Sequence, residues 1–353
     1  MNRLQAITDA LDSKGIDAML ITGLKNVRYL SGFTGSSACL LITSKKRLFF
    51  TDFRYREQAA RETGGFEILI EKEERPKLVV EKARSLGVGV LGFETTVSYA
   101  FYRALLRRGF KTKAVTNLVE DVRRVKDWLE LELIGSAIRR AEKAFLEVKP
   151  SVRKGVSERQ VASMLEERLK KNGCGTLPFD IIVASGPNSS MPHAHPTDNK
   201  IRAGDLVVID WGGEAGGYYS DMTRTLLVKG ANISRKKEIY ETVLLANREA
   251  IRSVRDGMNA RLIDRTARDT IMRAGYDEYF GHGTGHGVGL DVHELPRISR
   301  LGRETVRAGM VFTVEPGIYL PGLGGVRIED MVVVGVKGCR VLTSLPKELE
   351  IIH

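Results

Sequence analysis

Blocks of apolar residues alternate with helix-like amphipathic stretches along the first third of the chain. A periodic apolar pattern predicts a helix near residues 3–14 that ends at Gly15, and the strand-like run DAMLIT follows it. The runs ACLLIT and RLFFT, separated by the polar turn SKK, predict two more strands. A helix is predicted near residues 75–86, and VGVLGFE predicts a buried strand after it. The alternation predicts a small α/β domain with a mixed sheet covered by helices.

A long amphipathic segment, KDWLELELIGSAIRRAEKAFLEV, opens the second part of the chain and predicts a helix from about residue 126 to Val148. We place a domain boundary just before it, near residue 120, which divides the chain into residues 1–120 and 121–353.

Beyond this helix, strand-like runs are denser. Ser157 and Gln160 predict a capping box at the start of the next helix, and further helices are predicted near residues 235–254 and 260–274. The runs DIIVAS, DLVVID, MVFTV and MVVVGV predict strands. A strand-rich core with helices laid on it indicates an α+β fold.

Composition limits the classes of function. No apolar run approaches the roughly 20 residues needed to cross a bilayer, and the first residues lack the apolar core of a signal peptide. We therefore expect a cytoplasmic protein that does not bind membranes. The net charge is +11, but the basic residues are interspersed with acids and form no long block. This pattern favours a solvated surface over a polyanion-binding face, so we expect no nucleic-acid partner.

Four carboxylates stand next to apolar strand-like runs in the second domain. Asp210 ends DLVVID, and Asp221 follows a glycine-rich segment that can form a hairpin turn. Glu315 follows MVFTV, and Glu329 lies in VRIEDMVVV. A buried, unpaired carboxylate is costly, so a metal ion or an arginine partner is expected. The alternatives are solvated turn aspartates and an ion pair between Arg327 and Glu329.

Glycine occupies every second position from Gly281 to Gly289. A period of two predicts an extended strand with all glycines on one face and His282, Thr284 and His286 on the other. A glycine face allows a substrate or another backbone to approach closely. The spacing of a nucleotide-binding glycine loop is absent. Histidines also cluster here: five of the six lie between His193 and His293. Beside the acidic residues, they predict one metal ligand together with acid–base groups.

In chain order, the segments PHAHP, DLVVIDWGG, SDMTRT, GHGTGHGVGLDVHE, VEPGIY and GGVRIED resemble the signature blocks of the pita-bread metallopeptidases. The nearest resemblance is to the Xaa-Pro branch, which contains aminopeptidase P and prolidase. The segments NVRYLSGFTGSSACLLIT and LFFTDFRYREQAA are similar to the N-terminal domain of the same branch. The resemblance implies a creatinase-like N-terminal domain and a C-terminal pita-bread catalytic domain.

The resemblance also implies a role for each candidate residue. Two divalent metal ions, most often Mn²⁺ with Co²⁺ or Zn²⁺ as alternatives, would be bound by Asp210, Asp221, His286, Glu315 and Glu329. Asp221 and Glu329 would bridge the two ions. Glu315 would also accept or relay a proton, and the other catalytic residues would be His193, His282, His293 and Arg327. His195 matches no catalytic position and is interpreted as a neighbour.

The implied activity is metal-assisted cleavage of the Xaa-Pro bond at the N-terminus of peptides with proline in second position. We favour an Xaa-Pro aminopeptidase, with an Xaa-Pro dipeptidase (prolidase) as the alternative. A remote alternative is a non-catalytic pita-bread protein that binds peptides, histones or RNA, although such proteins typically lose metal ligands. The resemblance also implies a homodimer.

Overall fold

Strands and helices alternate in the first part of the chain. The computed structural model describes residues 3–353; residues 1 and 2, which fall in the predicted first domain, lie outside the described residues. The first compact unit ends at Arg123. Its elements are α1 (Arg3–Ser13), β1 (Ala18–Ile21), α2 (Leu24–Ser31), β2 (Ala38–Thr43), β3 (Arg47–Thr51), α3 (Arg56–Glu62), β4 (Glu67–Ile70), α4 (Arg75–Ser85), β5 (Val90–Glu94), α5 (Tyr99–Arg107), β6 (Lys111–Val115) and α6 (Leu118–Arg123).

One sheet organises this unit, with strand order β4-β3-β2-β1-β5-β6. Strand β2 pairs antiparallel with β1 and β3, whereas the β1–β5, β3–β4 and β5–β6 pairs are parallel. The central strands read AMLI and ACLLIT and are buried along their whole length. Continuous apolar runs of this kind are expected of strands covered on both faces. The mixed sheet predicted from the sequence is therefore present.

The second unit spans Arg124–His353 and contains more strands than helices. Its elements are α7 (Trp128–Val148), α8 (Glu158–Lys171), β7 (Ile182–Ser185), β8 (Leu206–Trp211), β9 (Glu214–Ala215), β10 (Tyr218–Tyr219), β11 (Met222–Val228), α9 (Ser234–Ser253), α10 (Ala260–Arg273), β12 (Gly285–Gly287), β13 (Glu294–Ile298), β14 (Val311–Val314), β15 (Gly317–Leu320), β16 (Gly324–Arg327), β17 (Asp330–Val334), β18 (Cys339–Val341) and β19 (Glu350–Ile352). The predicted helices near residues 126–148, 235–254 and 260–274 correspond to α7, α9 and α10.

The candidate metal ligands lie on or next to strands of two sheets in this unit. One has the order β19-β11-β8-β7 and the other the order β13-β12-β14-β17-β18. Helices α9 and α10 pack over the apolar core, to which both helices and both sheets contribute buried side chains. Helix α7 fixes the end of β8: the Trp211 ring stacks on Phe145 at 4.4 Å, and its Nε1 donates to the Ala141 carbonyl at 3.0 Å. The strand end that carries Asp210 is thus held rigidly.

Both long helices at the start of this unit begin with capping boxes. Asp127 and Glu130 cap α7, and the predicted pair Ser157 and Gln160 caps α8. Each box satisfies backbone N–H groups that have no partner inside the helix. Among residues 3–353, no helix is long and apolar enough to span a lipid bilayer.

The glycine-alternating segment is less regular than its period predicted. Only Gly285–Gly287 forms a strand, β12, and residues 281–284 precede it without ladder pairing. Side chains of α10 intervene: Arg268 donates to the carbonyls of Phe280 and His282, and Asp264 accepts from the amide of Thr284. The prediction of a strand over residues 281–289 therefore holds only for Gly285–Gly287 and is wrong for residues 281–284, where these hydrogen bonds replace sheet pairing.

Candidate metal centre and active site

The first two candidate ligands lie on adjacent strands. Asp210 is the penultimate residue of β8, and Asp221 immediately precedes β11. The two strands pair antiparallel, with Thr223 opposite Asp210. Between them a small β9–β10 hairpin turns at Gly216 and Gly217, whose φ angles of 56° and 82° favour glycine. The predicted hairpin is thus present, and it brings the two carboxylates to one end of the sheet.

The other three candidate ligands lie on strands of the second sheet or directly next to them. His286 is the central residue of β12, Glu315 follows β14, and Glu329 precedes β17. The Nε2 atom of His286 lies 3.3 Å from Oε1 of Glu315 and 3.5 Å from Oδ2 of Asp221. Thr223 Oγ1 donates to Oε2 of Glu329 at 2.7 Å. The two sheets therefore meet at this cluster.

Glycines on both sides of His286 allow the neighbouring backbone to approach. A Cβ atom on Gly285 would lie 1.8 Å from the Thr313 carbonyl oxygen, and one on Gly287 would lie 2.2 Å from the Leu295 carbonyl oxygen. Any larger residue would push β12 away from the strand or turn beside it. The close approach inferred from the glycine pattern is therefore present, and it positions His286.

The electrostatics of the cluster are unfavourable for a set of bare carboxylates. Burial, reinforced by neighbouring carboxylates, raises the pKa of Asp221 and Glu329 well above the ordinary values. Burial also raises the pKa of Glu315, against the opposing influence of His282 and Arg327. Within residues 3–353, Asp210 Oδ1 and Glu329 Oε1 are buried oxygens without a hydrogen-bond donor. A cation would supply what these oxygens lack.

His286 supports the same conclusion. Its Nδ1 lies 3.2 Å from the Gly287 carbonyl, which can only accept, so Nδ1 carries the proton and Nε2 presents a lone pair. Burial lowers the pKa of His286 and favours this neutral form. A lone pair facing carboxylate oxygens at 3.3 and 3.5 Å is repulsive unless a cation lies between them. Neutral imidazole with an anchored second nitrogen is the usual metal-ligating form of histidine.

Ligand atoms of the five residues group in two overlapping sets. One set comprises Asp210, Asp221 and Glu329, and the other His286, Glu315 and Glu329; within each set the atoms lie within 4.8 Å of one another. A third set, of Asp221, His286 and His293, meets the same criterion. The shared Glu329 suits a bridging ligand, and the oxygen-rich donors suit hard divalent cations. The residues present therefore fit two divalent metal ions.

A hydrogen-bonded chain lies beside the cluster. Arg327 Nη2 donates to Asp210 Oδ2 at 2.6 Å, and its Nη1 donates to the Tyr319 hydroxyl at 2.9 Å. The Tyr319 hydroxyl lies 2.8 Å from His282 Nε2. Because His282 Nδ1 lies 2.8 Å from the Gly283 carbonyl, Nδ1 carries the proton and Nε2 accepts from Tyr319. The alternative of an Arg327–Glu329 ion pair is wrong, since the guanidinium pairs with Asp210.

Sequence reasoning missed Tyr319. Burial raises its pKa to about 12, so the hydroxyl keeps its proton and can donate to His282. Tyrosine occupies a buried position on β15 that the pattern does not distinguish from ordinary core. The one available signal is that a buried hydroxyl requires a hydrogen-bond partner.

All the predicted site residues line one cavity of about 450 Å³. They are His193, Asp210, Asp221, His282, His286, His293, Glu315, Arg327 and Glu329. The predicted ligands are buried or partly buried, whereas His193 and His293 are exposed, as is the neighbouring His195. The His293 ring lies 4.2 Å from the His286 ring. Carboxylates line the interior of the cavity, and these three histidines reach solvent.

Similarity to known proteins agrees with this arrangement. Residues 132–335 match the profile described as metallopeptidase family M24, and residues 3–125 match the creatinase/prolidase N-terminal domain. The chain belongs to metallopeptidase family M24. The predicted α+β fold, with a creatinase-like domain and a pita-bread catalytic domain, is confirmed, and so is the prediction of a metallopeptidase of the Xaa-Pro branch.

Relatives of this M24 metallopeptidase cover nearly its whole length. An Xaa-Pro dipeptidase of Pyrococcus horikoshii is 38% identical, with 98% of each chain covered. The structure of an Xaa-Pro dipeptidase from Bacillus anthracis has a TM-score of 0.97 at 40% identity, covering 99% of each chain. An X-Pro aminopeptidase from Thermotoga maritima has a TM-score of 0.89 at 36% identity, covering 100% of each chain. M24 metallopeptidases use a dinuclear divalent metal centre, and the five grouped ligands fit one.

Proposed function

We propose that this M24 metallopeptidase hydrolyses Xaa-Pro dipeptides. The observation that carries the proposal is Arg297, an exposed arginine on the wall of the metal-ligand cavity. Its position is opposite His286 in the β12–β13 ladder. Across residues 3–353, no hydrogen bond or ion pair engages the Arg297 side chain. A free guanidinium beside the candidate metal centre suits the C-terminal carboxylate that proline itself carries in a dipeptide.

A second charged side chain complements Arg297. Asp180 also lines the cavity, is exposed, and has no hydrogen bond or ion pair to any part of residues 3–353. A dipeptide is a zwitterion that presents one ammonium and one carboxylate group. Apart from the candidate metal ligands, the cavity thus offers Arg297 and Asp180, one charge of each sign, to a ligand that carries both. The names of the Pyrococcus horikoshii and Bacillus anthracis relatives support this specificity.

The second candidate is the Xaa-Pro aminopeptidase that the sequence favoured. The similarity to the X-Pro aminopeptidase of Thermotoga maritima supports it. In this activity the residue after proline continues the peptide, so no carboxylate would reach Arg297. The two candidates therefore differ in what Arg297 contributes, which makes that residue the means of distinguishing them.

The proposed chemistry assigns a task to each group. Asp210, Asp221, His286, Glu315 and Glu329 would hold two divalent cations, and we propose Mn²⁺ because the donor set is rich in oxygen. Such cations, when bound, activate water and polarise the scissile carbonyl. Glu315, whose pKa is raised by burial, is suited to accept a proton at neutral pH and return it to the leaving nitrogen.

The remaining residues would bind and orient the substrate. His293 is proposed to hydrogen-bond the carbonyl oxygen as charge develops on it, and His193 to orient the peptide. His282 is held by Tyr319, and Arg327 holds Asp210 in turn, so the wall facing the leaving group is rigid. Proline lacks an N–H group, so a site that makes no demand for this donor accepts an Xaa-Pro bond.

The test compares an Xaa-Pro dipeptide, its C-terminal amide and an Xaa-Pro-Yaa tripeptide, each with Mn²⁺ and with EDTA. We expect metal-dependent cleavage of the dipeptide in preference to the other two. The Arg297→Met variant should raise the dipeptide KM roughly 10- to 100-fold, because a hydrogen bond to a charged group contributes about 1.5–3 kcal/mol.

The control is Arg303→Met, which removes an exposed arginine outside the cavity and should leave the KM unchanged. Preferred cleavage of the tripeptide, with no effect of Arg297→Met, would establish the aminopeptidase instead. Failure to cleave any of the three peptides would reject both candidates.

We also propose, on the family resemblance, that the protein is a homodimer. Sedimentation velocity tests this directly.

A further inference from the structure

Two of the metal-ligand candidates occupy an interruption between two β ladders. Strands β15 and β16 pair up to Gly317 and Arg327, and β14 pairs with β17 from Val314 and Asp330 onward. Glu315 and Glu329 lie between these ladders. Their amides bond outward, to the carbonyls of Thr284 at 2.8 Å and Thr223 at 3.1 Å. The backbone of both glutamates is therefore held by other segments and not by pairing with each other.

A single side chain of helix α9 forms hydrogen bonds to both segments at this interruption. Asn247, on α9, is completely buried. Its Nδ2 donates to the carbonyl of Val314 at 2.9 Å and to that of Ile328 at 3.3 Å. Val314 and Ile328 are the residues that directly precede Glu315 and Glu329. One amide group thus holds the backbone immediately before both glutamates.

The orientation of this amide is fixed in turn. Lys347 Nζ donates to Asn247 Oδ1 at 2.8 Å and to Asp330 Oδ2 at 2.7 Å. Arg224 Nη2 donates to the other oxygen of Asp330 at 2.9 Å, and Arg224 Nη1 donates to the Glu329 carbonyl at 2.6 Å. Because Lys347 can only donate, Asn247 must present its oxygen to the ammonium and its two N–H groups to the strands.

We propose that Asn247, oriented by Lys347, is a positioning residue that sets the separation of Glu315 and Glu329 and thereby the affinity of the metal centre. Only a side chain with two N–H donors on one atom and an acceptor beside them fulfils all three contacts. Aspartate cannot donate to the carbonyls, and leucine offers neither function. This role concerns metal binding by the protein without substrate. It can therefore be refuted while the proposed peptide specificity stands, and the peptide specificity can be refuted while this role stands.

The test measures Mn²⁺ binding to the metal-free protein by calorimetry and by competition with a chelator. Asn247→Ala should weaken Mn²⁺ binding by roughly 10- to 100-fold, the usual effect of losing a group that orients metal ligands. The matched control is Val243→Ala, one turn earlier on α9 and equally buried in the apolar core. It should lower the melting temperature without changing the Mn²⁺ affinity.

Mn²⁺ affinity in Asn247→Ala equal to that in Val243→Ala would overturn the proposal. If Asn247→Ala does not fold, the Mn²⁺ affinity of the Lys347→Met variant tests the proposal instead. This substitution leaves the amide in place but removes the donor that orients it, while Asp330 keeps its bonds from Arg224 and Thr343. A severalfold weaker affinity in Lys347→Met supports the proposal, and an affinity equal to that of the unaltered protein refutes it.

Discussion

The buried carboxylates of the metal centre should make the metal-free protein measurably less stable than the metal-bound protein. Glu329 is the sharpest case: it is 1% exposed, one of its oxygens has no donor within residues 3–353, and Asp221 lies close to it. The Glu329→Gln substitution keeps the shape and removes the charge. We expect it to stabilise the metal-free protein and to abolish the stabilisation by Mn²⁺.

The size of the stabilisation by Mn²⁺ and of the stabilisation by Glu329→Gln can both be calculated. A ligand at about 100 times its dissociation constant stabilises the folded state by about 2.7 kcal/mol. For a domain of 150–250 residues, each kcal/mol shifts the melting temperature by about 2–4 °C, so Mn²⁺ should raise it by roughly 5–11 °C. Relief of one unsatisfied buried group should stabilise metal-free Glu329→Gln by about 1–3 kcal/mol.

The pH dependence follows from the raised pKa of Glu329. A carboxyl whose folded pKa is raised contributes stability below its unfolded value, near 4.5, and loses that contribution as pH rises through the folded pKa. The advantage of Glu329→Gln in metal-free protein should therefore be larger at pH 8 than at pH 5.

Differential scanning calorimetry of both proteins, with EDTA and with Mn²⁺, measures all of these quantities. The reasoning is refuted if metal-free Glu329→Gln melts below the metal-free parent protein, or if Mn²⁺ raises both melting temperatures equally.

Three further outcomes are expected. Gly285→Ala should displace β12 from the neighbouring Thr313 backbone and abolish Mn²⁺ binding. The control Gly281→Ala, where an added Cβ meets no atom within 4 Å, should bind Mn²⁺ normally. Equal Mn²⁺ affinity in the two variants would contradict the role given to the close packing of Gly285 against Thr313. Tyr319→Phe should lower kcat by roughly 2- to 10-fold, since His282 loses its hydrogen-bond donor. Mn²⁺ affinity should stay unchanged because Arg327 keeps its bond to Asp210. An unchanged kcat would contradict the role given to the Tyr319–His282 contact. Mn²⁺ binding at pH 6 should release protons, because the raised pKa values of Asp221 and Glu329 leave protons on these carboxyl groups for the metal to displace. The released protons make the calorimetric binding enthalpy depend on the buffer. A binding enthalpy that is the same in all buffers would contradict the raised pKa values.

The candidate metal ligands could be recognised from the sequence because their chemistry conflicts with their surroundings. A carboxylate such as Glu329 next to an apolar run has no explanation in packing alone. The helices were predictable for a related reason: at Ser157 and Gln160 local side-chain chemistry determines where the helix begins, without help from distant residues.

The groups that hold the ligands in place could not be predicted in this way. Tyr319 continues an apolar strand and does not depart from the local pattern. Asn247 is a polar residue in the buried stripe of α9, but the sequence does not indicate which groups it contacts. Their roles arise from contacts with residues distant in the chain, such as Val314 for Asn247. The strand predicted over residues 281–289 is shorter than expected for the same reason, since Arg268 of α10 donates to the backbone before Gly285. Periodicity describes a segment alone and contains no information on what competes for its hydrogen bonds.

The meeting of two sheets at the metal centre has a consequence for how the molecule is assembled. Asp210 lies on β8, Asp221 directly precedes β11 of the same sheet, and the other three candidate ligands follow α9 and α10 in the chain. In the described part of the chain, residues 3–353, no single hairpin or sheet holds all five candidate ligands, so a partly folded chain should not bind both proposed ions. Metal capture should therefore be a late event in folding, and loading with two ions would report that the whole second unit has reached its native topology.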